Sequence, residues 1–205
     1  HELDTDIELL TNYISQMKFP WLLSNVKSRE EWKPVAGGLE TFVLEKNGLR
    51  IGFIGLAEGD WVHDSSYLSG DNMEFEEFVD CAKRLNKELR ENQKCDMVIA
   101  LTHLRNNNDF FLAKEVPELD LILGGHDHLN LIEKVNGTYI IKSGSDFVEF
   151  NKIELTLLST EDMKNLSQEA KSQVYKEKYL IEVKTVNVTK EFEPNQNIKD
   201  HLHKY

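Results

Sequence analysis

The chain has 205 residues, 40% hydrophobic and 29% charged, with 11 Gly and 4 Pro, which is an ordinary globular composition with enough apolar residues for one core. Its formal net charge of −12 argues against a protein that reads nucleic-acid backbones through a basic face. It does not exclude phosphate substrates, because bound divalent cations would reverse the local sign. No apolar run approaches the ~20 residues of a membrane span. Cys81 and Cys95 make no disulfide framework and read as buried free thiols. Sequons occur at Asn136, Asn165 and Asn187 where chance supplies one or two, which points only weakly to secretion.

In chain order, Leu3, Ile7, Leu10, Ile14 and Met17 recur at helical spacing, which predicts a helix over residues 2–18. The sequence therefore opens inside a periodic pattern without a signal peptide, and a true start upstream of His1 is expected. Residues 20–26 read as a short buried strand. The runs 39–44 and 50–56 flank Asn47-Gly48, which predicts a type I′ hairpin. Phe75, Phe78, Val79, Ala82, Leu85 and Leu89 mark a second amphipathic helix. Residues 97–101 are apolar throughout, as in a strand covered on both faces. A short helix is expected from about Asp109 to Val116, capped by Asn108 or Asp109. Residues 119–123 form a second apolar strand, broken only by Asp120. Asn136-Gly137 predicts a hairpin between residues 131–135 and 139–142, and residues 150–158 a further strand. Residues 159–178 read as a polar surface insertion with some helix, 179–188 as an edge strand, and the stretch from Glu191 as a tail.

The chemistry lies where the two apolar strands end. The first runs into His103. The second ends at Gly124, with Gly125-His126-Asp127-His128 beyond it. Open α/β sheets bind ligands at the carboxyl ends of their strands. Paired glycines remove side chains where a backbone passes close to something. Imidazoles suit Zn, Mn, Fe and Ni, and His126 and His128, one residue apart, reach two adjacent metals more readily than one. A hydrogen-bonded structural histidine and a plain Gly-Gly turn are the alternatives for each feature alone. The conjunction favours a metal site.

This conjunction resembles the calcineurin-like metallophosphoesterases, most closely their 5′-nucleotidase branch. Family members carry D-x-H, G-D, G-N-H-E/D, a strand-terminal His and G-H-x-H in that order. His1-Glu2-Leu3-Asp4 is similar to part of the third block, Thr102-His103 to the fourth, and Gly125-His126-Asp127-His128 to the fifth. Residues 19–25 and 143–146 are also similar to family segments, so the resemblance covers roughly residues 1–158. It implies an α/β fold: a portion of a four-layer α-β-β-α sandwich metallophosphoesterase domain with mixed sheets. Residues 1–190 would form that domain, lacking its N-terminal part, and 191–205 a tail or linker.

The resemblance also implies roles. His103 and His126 would ligate one metal and His128 the other, with two divalent ions (Mn, Zn, Fe or Mg) as cofactors. His1 would be the catalytic, non-ligand proton donor, oriented by Asp4; the alternative for Asp4 is a first-turn helix carboxylate. A carboxylate fixes the tautomer and raises the basicity of its imidazole, which suits a general acid. Arg105 would meet a phosphate, with a solvated arginine as the alternative. Glu58, Asp60, Trp61 and His63 are candidates for shaping a pocket, while His201 and His203 read as solvent-exposed. The implied reaction is attack of a metal-bridging hydroxide on a small phosphorylated substrate, a nucleotide by preference. A phosphoprotein phosphatase, a cyclic-nucleotide phosphodiesterase and a non-catalytic metal-binding scaffold are the alternatives.

No D-x-H occurs anywhere in the 205 residues, and Gly59-Asp60 and Gly70-Asp71 fall in the wrong order for the second block. The carboxylates that would hold both cations are expected upstream of His1, and the 205 residues alone are expected to have little or no activity.

Overall fold

The structure, a computed structural model, describes residues 6–60, 73–172, 174–175 and 179–202. The chain divides into two compact units, residues 1–127 with 131–142, and residues 128–130 with 143–205. The expectations for His1, Asp4, Trp61, His63, Gly70, Asp71 and His203, and for the side chain of His201, lie outside the described residues.

The first unit begins with helix α1 (Ile7–Gln16), where the Asp6 carboxylate caps the helix by accepting the Glu8 and Leu9 amides at 2.8 and 3.2 Å. Ile7, Leu10 and Ile14 lie on one stripe, and Leu10 is buried. The strand expected over residues 20–26 forms only in part. Leu22 makes a lone bridge to Leu39, and strand β1 is Val26–Ser28. Side chains replace the missing ladder. The Ser24 hydroxyl donates to Glu40 O at 2.6 Å and accepts the Gly55 amide at 2.8 Å. The Asn25 carboxamide donates to Ala57 O at 2.8 Å and accepts the Ala57 amide at 3.0 Å.

Strands β2 (Thr41–Lys46) and β3 (Leu49–Ala57) form the expected hairpin, with Lys46 opposite Leu49. Asn47 and Gly48 have φ of 52° and 77°, the two positive values a type I′ turn requires. Strand β4 (Met73–Phe75) pairs antiparallel with β1. Helix α2 (Phe78–Glu91) leads to β5 (Met97–His103), and helix α3 (Asn106–Glu115) to β6 (Leu121–Gly124). Strands β7 (Asn130–Val135) and β8 (Thr138–Ser143) come next, on either side of Asn136-Gly137. The six-stranded sheet runs β2-β3-β5-β6-β8-β7, with β3, β5, β6 and β8 mutually parallel and β2 antiparallel to β3. This is a mixed α/β sheet, as expected.

Alternation along β5 sorts its residues between two faces. Val98 and Ala100 join the core with Leu85 and Leu89 of α2 and Leu112 and Ala113 of α3. Met97, Ile99, Leu101 and His103 point the other way. Residues 97–100 are buried on both faces, as the apolar run predicts, but Leu101 is 37% exposed, so the cover thins toward the strand's end. Cys81 and Cys95 are free and buried, and burial pushes the Cys81 thiol up to about 12.

In the second unit, β9 (Glu149–Leu157) is succeeded by helices α4 (Thr160–Asn165) and α5 (Gln168–Ser172), strand β10 (Val174–Tyr175) and strand β11 (Tyr179–Asn187). The edge-strand expectation for residues 179–188 is corrected. β11 lies between β10 and β9, because Val174 and Tyr175 fold back against Leu180 and Tyr179. Alternating polarity reports one covered face, which a central antiparallel strand shows as well as an edge strand. Helix α6 (Gln196–Leu202) occupies the stretch read as a tail.

A charge cluster pins the β1–β2 region to α2. Lys27, 5% exposed, lies 2.6 Å from Glu40 and 3.5 Å from Glu76. Arg84 grips Glu76 with two nitrogens, at 2.9 and 2.6 Å, and reaches Glu40 at 2.8 Å. Burial opposes ionisation of Glu40, but Lys27 and Arg84 outweigh it and hold its carboxyl below the ordinary 4.5. The Arg84 hydrogen bond dominates at Glu76 and lowers it likewise. Both folded values are depressed, so this stabilisation is complete above the unfolded value and is lost as pH falls through the lower folded ones. Solvent screening limits it to about 1 kcal/mol, or ~2–4 °C in Tm. The prediction is that the Tm of wild type falls below pH 4.5, and that Glu40→Gln/Glu76→Gln shows a flatter profile; parallel profiles in thermal melts would contradict it.

Candidate metal centre

β5 and β6 are adjacent and parallel, with Thr102 opposite Gly124, so their carboxyl ends meet at one edge of the sheet. His103 is the last residue of β5, and His126 lies two residues past the end of β6. The Gly125 amide donates to Thr102 O at 2.9 Å, which extends the pairing by one residue. The Asp127 amide then donates to Gly125 O at 3.0 Å and closes a three-residue turn around His126. His126 has φ 69°, the positive sign of the rare and strained form of the γ-turn. The turn places the His126 ring 5.2 Å from the His103 ring, centroid to centroid, at 71°.

That spacing suits a shared cation. With metal–nitrogen bonds of about 2 Å, two imidazoles at a tetrahedral angle have centroids roughly 5 Å apart. The pair is a partial donor set. Among the described residues, no group of three or more His, Cys, Asp or Glu side chains converges on a metal position. His128, in the second unit, is exposed and also has positive φ, at 54°.

Beneath the His126 turn lies a group the sequence did not disclose. Lys142, at the end of β8, is 1% exposed. Its ammonium donates to Gly125 O at 2.9 Å, to Leu104 O at 3.1 Å and to Asp127 Oδ2 at 2.7 Å. Asp109 Oδ2 stands 2.8 Å away as a fourth oxygen. The other Asp109 oxygen accepts the Thr102 hydroxyl at 2.6 Å. Burial pushes the Asp109 carboxyl up, against the pull of Lys142 and Thr102. Asp127 goes the other way. Burial raises it, but the Lys142 hydrogen bond and charge, His126 and the Asn106 amide bring its carboxyl below the usual range. The close approach foreseen at Gly124 is to this ion pair. A Cβ there would stand 2.8 Å from Asp109 Oδ2 and 3.0 Å from Lys142 Cε.

The expected Asn108 or Asp109 cap of α3 is not made. Arg105 is the N-cap residue, without a side-chain cap, because α3 starts at Asn106 and so puts Asn108 and Asp109 inside its first turn, where Asp109 faces Lys142. Glu58, 3% exposed, serves the helix start from the end of β3. It accepts the Arg105 amide at 2.5 Å and the Asn108 side chain at 2.7 Å, and it pairs with the Arg105 guanidinium. Arg105 also reaches Asp60 at 3.0 Å. Its charge is thus shared by two carboxylates.

No protein-family profile matches the chain. It is 28% identical over 199 residues to a 5′-nucleotidase from Vibrio cholerae, a match over 78% of this chain and 35% of that protein. It is 34% identical over 120 residues to the trifunctional nucleotide phosphoesterase protein YfkN of Bacillus subtilis, over 57% of this chain and 8% of that one. The solved structure of calcineurin-like phosphoesterase YfkN from Bacillus subtilis superposes on the whole chain with a TM-score of 0.77 at 16% identity, covering 66% of that chain and showing the shared fold. The chain spans 35% or less of the length of these curated relatives.

The two glycines before His126 differ in what they tolerate. Gly124→Ala drives a methyl into a buried, hydrogen-bonded carboxylate, and is expected to cost about 1–3 kcal/mol of stability. Gly125→Ala meets His103 Nδ1 at 3.5 Å, an ordinary contact, and is expected to melt within a degree or two of wild type. Equal losses in urea unfolding would refute this distinction.

Proposed function

We propose that this chain, a homologue of the 5′-nucleotidases and of the calcineurin-like phosphoesterase YfkN, supplies the histidine side of a two-metal centre that hydrolyses phosphate monoesters. Nucleotides are the proposed substrate class. The observation that carries the reading is the apposition of His103 and His126 at the carboxyl edge of β5 and β6, 5.2 Å apart. In this reading, residues 1–190 belong to the catalytic domain and 191–205 form its tail.

Divalent cations, when bound, supply electrostatic stabilisation to the phosphoryl oxygens and a nucleophile from water at neutral pH. His103 and His126 would hold one cation through neutral ring nitrogens, and His128 the second. The turn closed on the Gly125 carbonyl constrains the His126 backbone, which would lower the ordering cost of binding a cation. His1, backed by Asp4, would deliver the proton to the leaving oxygen. Arg105 keeps its buried partner Glu58 and would meet substrate by exchanging Asp60, whose side chain is 69% exposed. The acidic net charge of −12 is compatible with an anionic substrate only where cations reverse the field, which agrees with a metal-dependent reaction.

The test is hydrolysis of AMP, a phosphopeptide and cyclic AMP by the intact protein with Mn²⁺. The expected outcome is AMP hydrolysis that EDTA abolishes, and a loss in kcat/KM for His126→Ala of at least ~10²-fold, beyond the range typical of groups that only orient a ligand. Turnover of the phosphopeptide alone would replace the nucleotide reading. Failure on all three substrates, with metal still bound, would leave a scaffold.

A further inference from the structure

We infer that Lys142 is a positioning residue for the metal-ligating loop: its buried ammonium ties the Gly125–Asp127 backbone to the β5–α3 junction and thereby holds His126 against His103. The inference rests on the proposed metal centre and names what shapes it.

The geometry is specific. Two of the oxygens around Lys142 Nζ belong to the loop, Gly125 O at 2.9 Å and Asp127 Oδ2 at 2.7 Å. Two belong to the β5–α3 segment, Leu104 O at 3.1 Å and Asp109 Oδ2 at 2.8 Å. One ammonium therefore bridges the two pieces of chain that carry His126 and His103. Gly125 O is also the acceptor that closes the turn around His126, so Lys142 grips the turn at its hinge. A positive φ at a non-glycine residue persists only where its surroundings over-determine it. At His126, with φ 69°, this bond set is part of those surroundings.

Stability alone does not account for a lysine here. Replacing a buried ion pair by apolar residues of similar volume is commonly neutral or stabilising. An apolar pair could fill the space of Lys142 and Asp109. It could not hold a carbonyl and a carboxylate of the loop. The glycine at 124 points the same way, because it leaves room for the Lys142–Asp109 pair directly under the backbone that leads to His126.

The test compares the intact protein with Asp109→Leu/Lys142→Met, which removes both buried charges together so that neither is left unpaired. Three quantities are read: thermal melting, amide exchange at Gly125 and Asp127 in metal-free protein, and Co²⁺ affinity by absorbance titration. The expected result is a melt close to wild type, exchange at Gly125 at least ~10-fold faster, and Co²⁺ binding weakened by ~10–100-fold, the range for groups that orient a metal ligand. Unchanged exchange overturns the inference. So does faster exchange with unchanged Co²⁺ affinity, which would make Lys142 a structural tie only. Should the double variant fail to fold, Asp127→Ala, which cuts one side-chain tether at a partly exposed position, is expected to weaken Co²⁺ binding several-fold; wild-type affinity there overturns the inference equally. If wild type itself binds no Co²⁺, the proposed metal centre fails and this inference with it. A failure confined to the variants leaves the metal centre standing.

Discussion

A lysine ammonium that is 1% exposed sets the terms for everything at the carboxyl edge of this sheet. Taking such a charge out of water costs several kcal/mol unless oxygens surround it. Among the described residues Lys142 finds four, two from the β5–α3 segment and two from the Gly125–Asp127 loop. Each supplier is constrained in turn. Asp109, in the first turn of α3, turns into the core to face the ammonium. Glu58 serves the start of α3 from another strand and holds the Arg105 amide. Arg105 is thereby committed to Glu58 and Asp60. Gly124 cannot carry a side chain because the Lys142–Asp109 pair passes beneath it. One buried charge thus draws in a first-turn carboxylate of α3 and a loop carboxylate, and keeps Gly124 free of a side chain.

The sheet supplies the other half of the geometry. Parallel strands end at the same edge, and the parity of β5 puts Thr102 on the face toward the helices and His103 on the opposite face. Thr102 can therefore reach Asp109 while its neighbour's ring meets His126. Among the described residues the parallel strands run β3-β5-β6-β8 in chain order, without a reversal between β5 and β6. The histidines are carried by the segments at and beyond the strand ends, with a helix following β5 and a tight turn following β6.

Much of this was legible before the structure. The Asn-Gly hairpins, the period of α2, the apolar strands and the two histidines at their ends are local signals, each stated within a few residues. Lys142 was not legible. A lysine closing an apolar strand reads as a cation snorkelling to solvent, and nothing nearby in sequence marks its partners, which lie 15 to 38 residues away. Asp109 misled because an aspartate beside a predicted helix start is a good cap by local rules. Ser24 and Asn25 hid in the same way: they fall within the strand expected over residues 20–26, and nothing local marks them as side chains that satisfy a distant backbone. What failed was the non-local polar pairing, whose partners only the fold brings together.

The places where local preference is overridden are themselves informative. Histidine tolerates positive φ better than β-branched residues do, yet His126 and His128 both adopt it within three residues, at 69° and 54°. A loop free to relax would choose otherwise, because each such residue carries a cost of order 1 kcal/mol or more. Positive φ also occurs at Trp32, Ala36, Lys94 and Phe147, so the sign alone is not peculiar to this loop. At His126 it coincides with a second unfavourable feature, the buried charge of Lys142 held directly below it. Two unfavourable features that stabilise nothing separately become intelligible together: the ammonium fixes the Gly125 carbonyl, the carbonyl closes the turn, and the turn sets an imidazole beside His103.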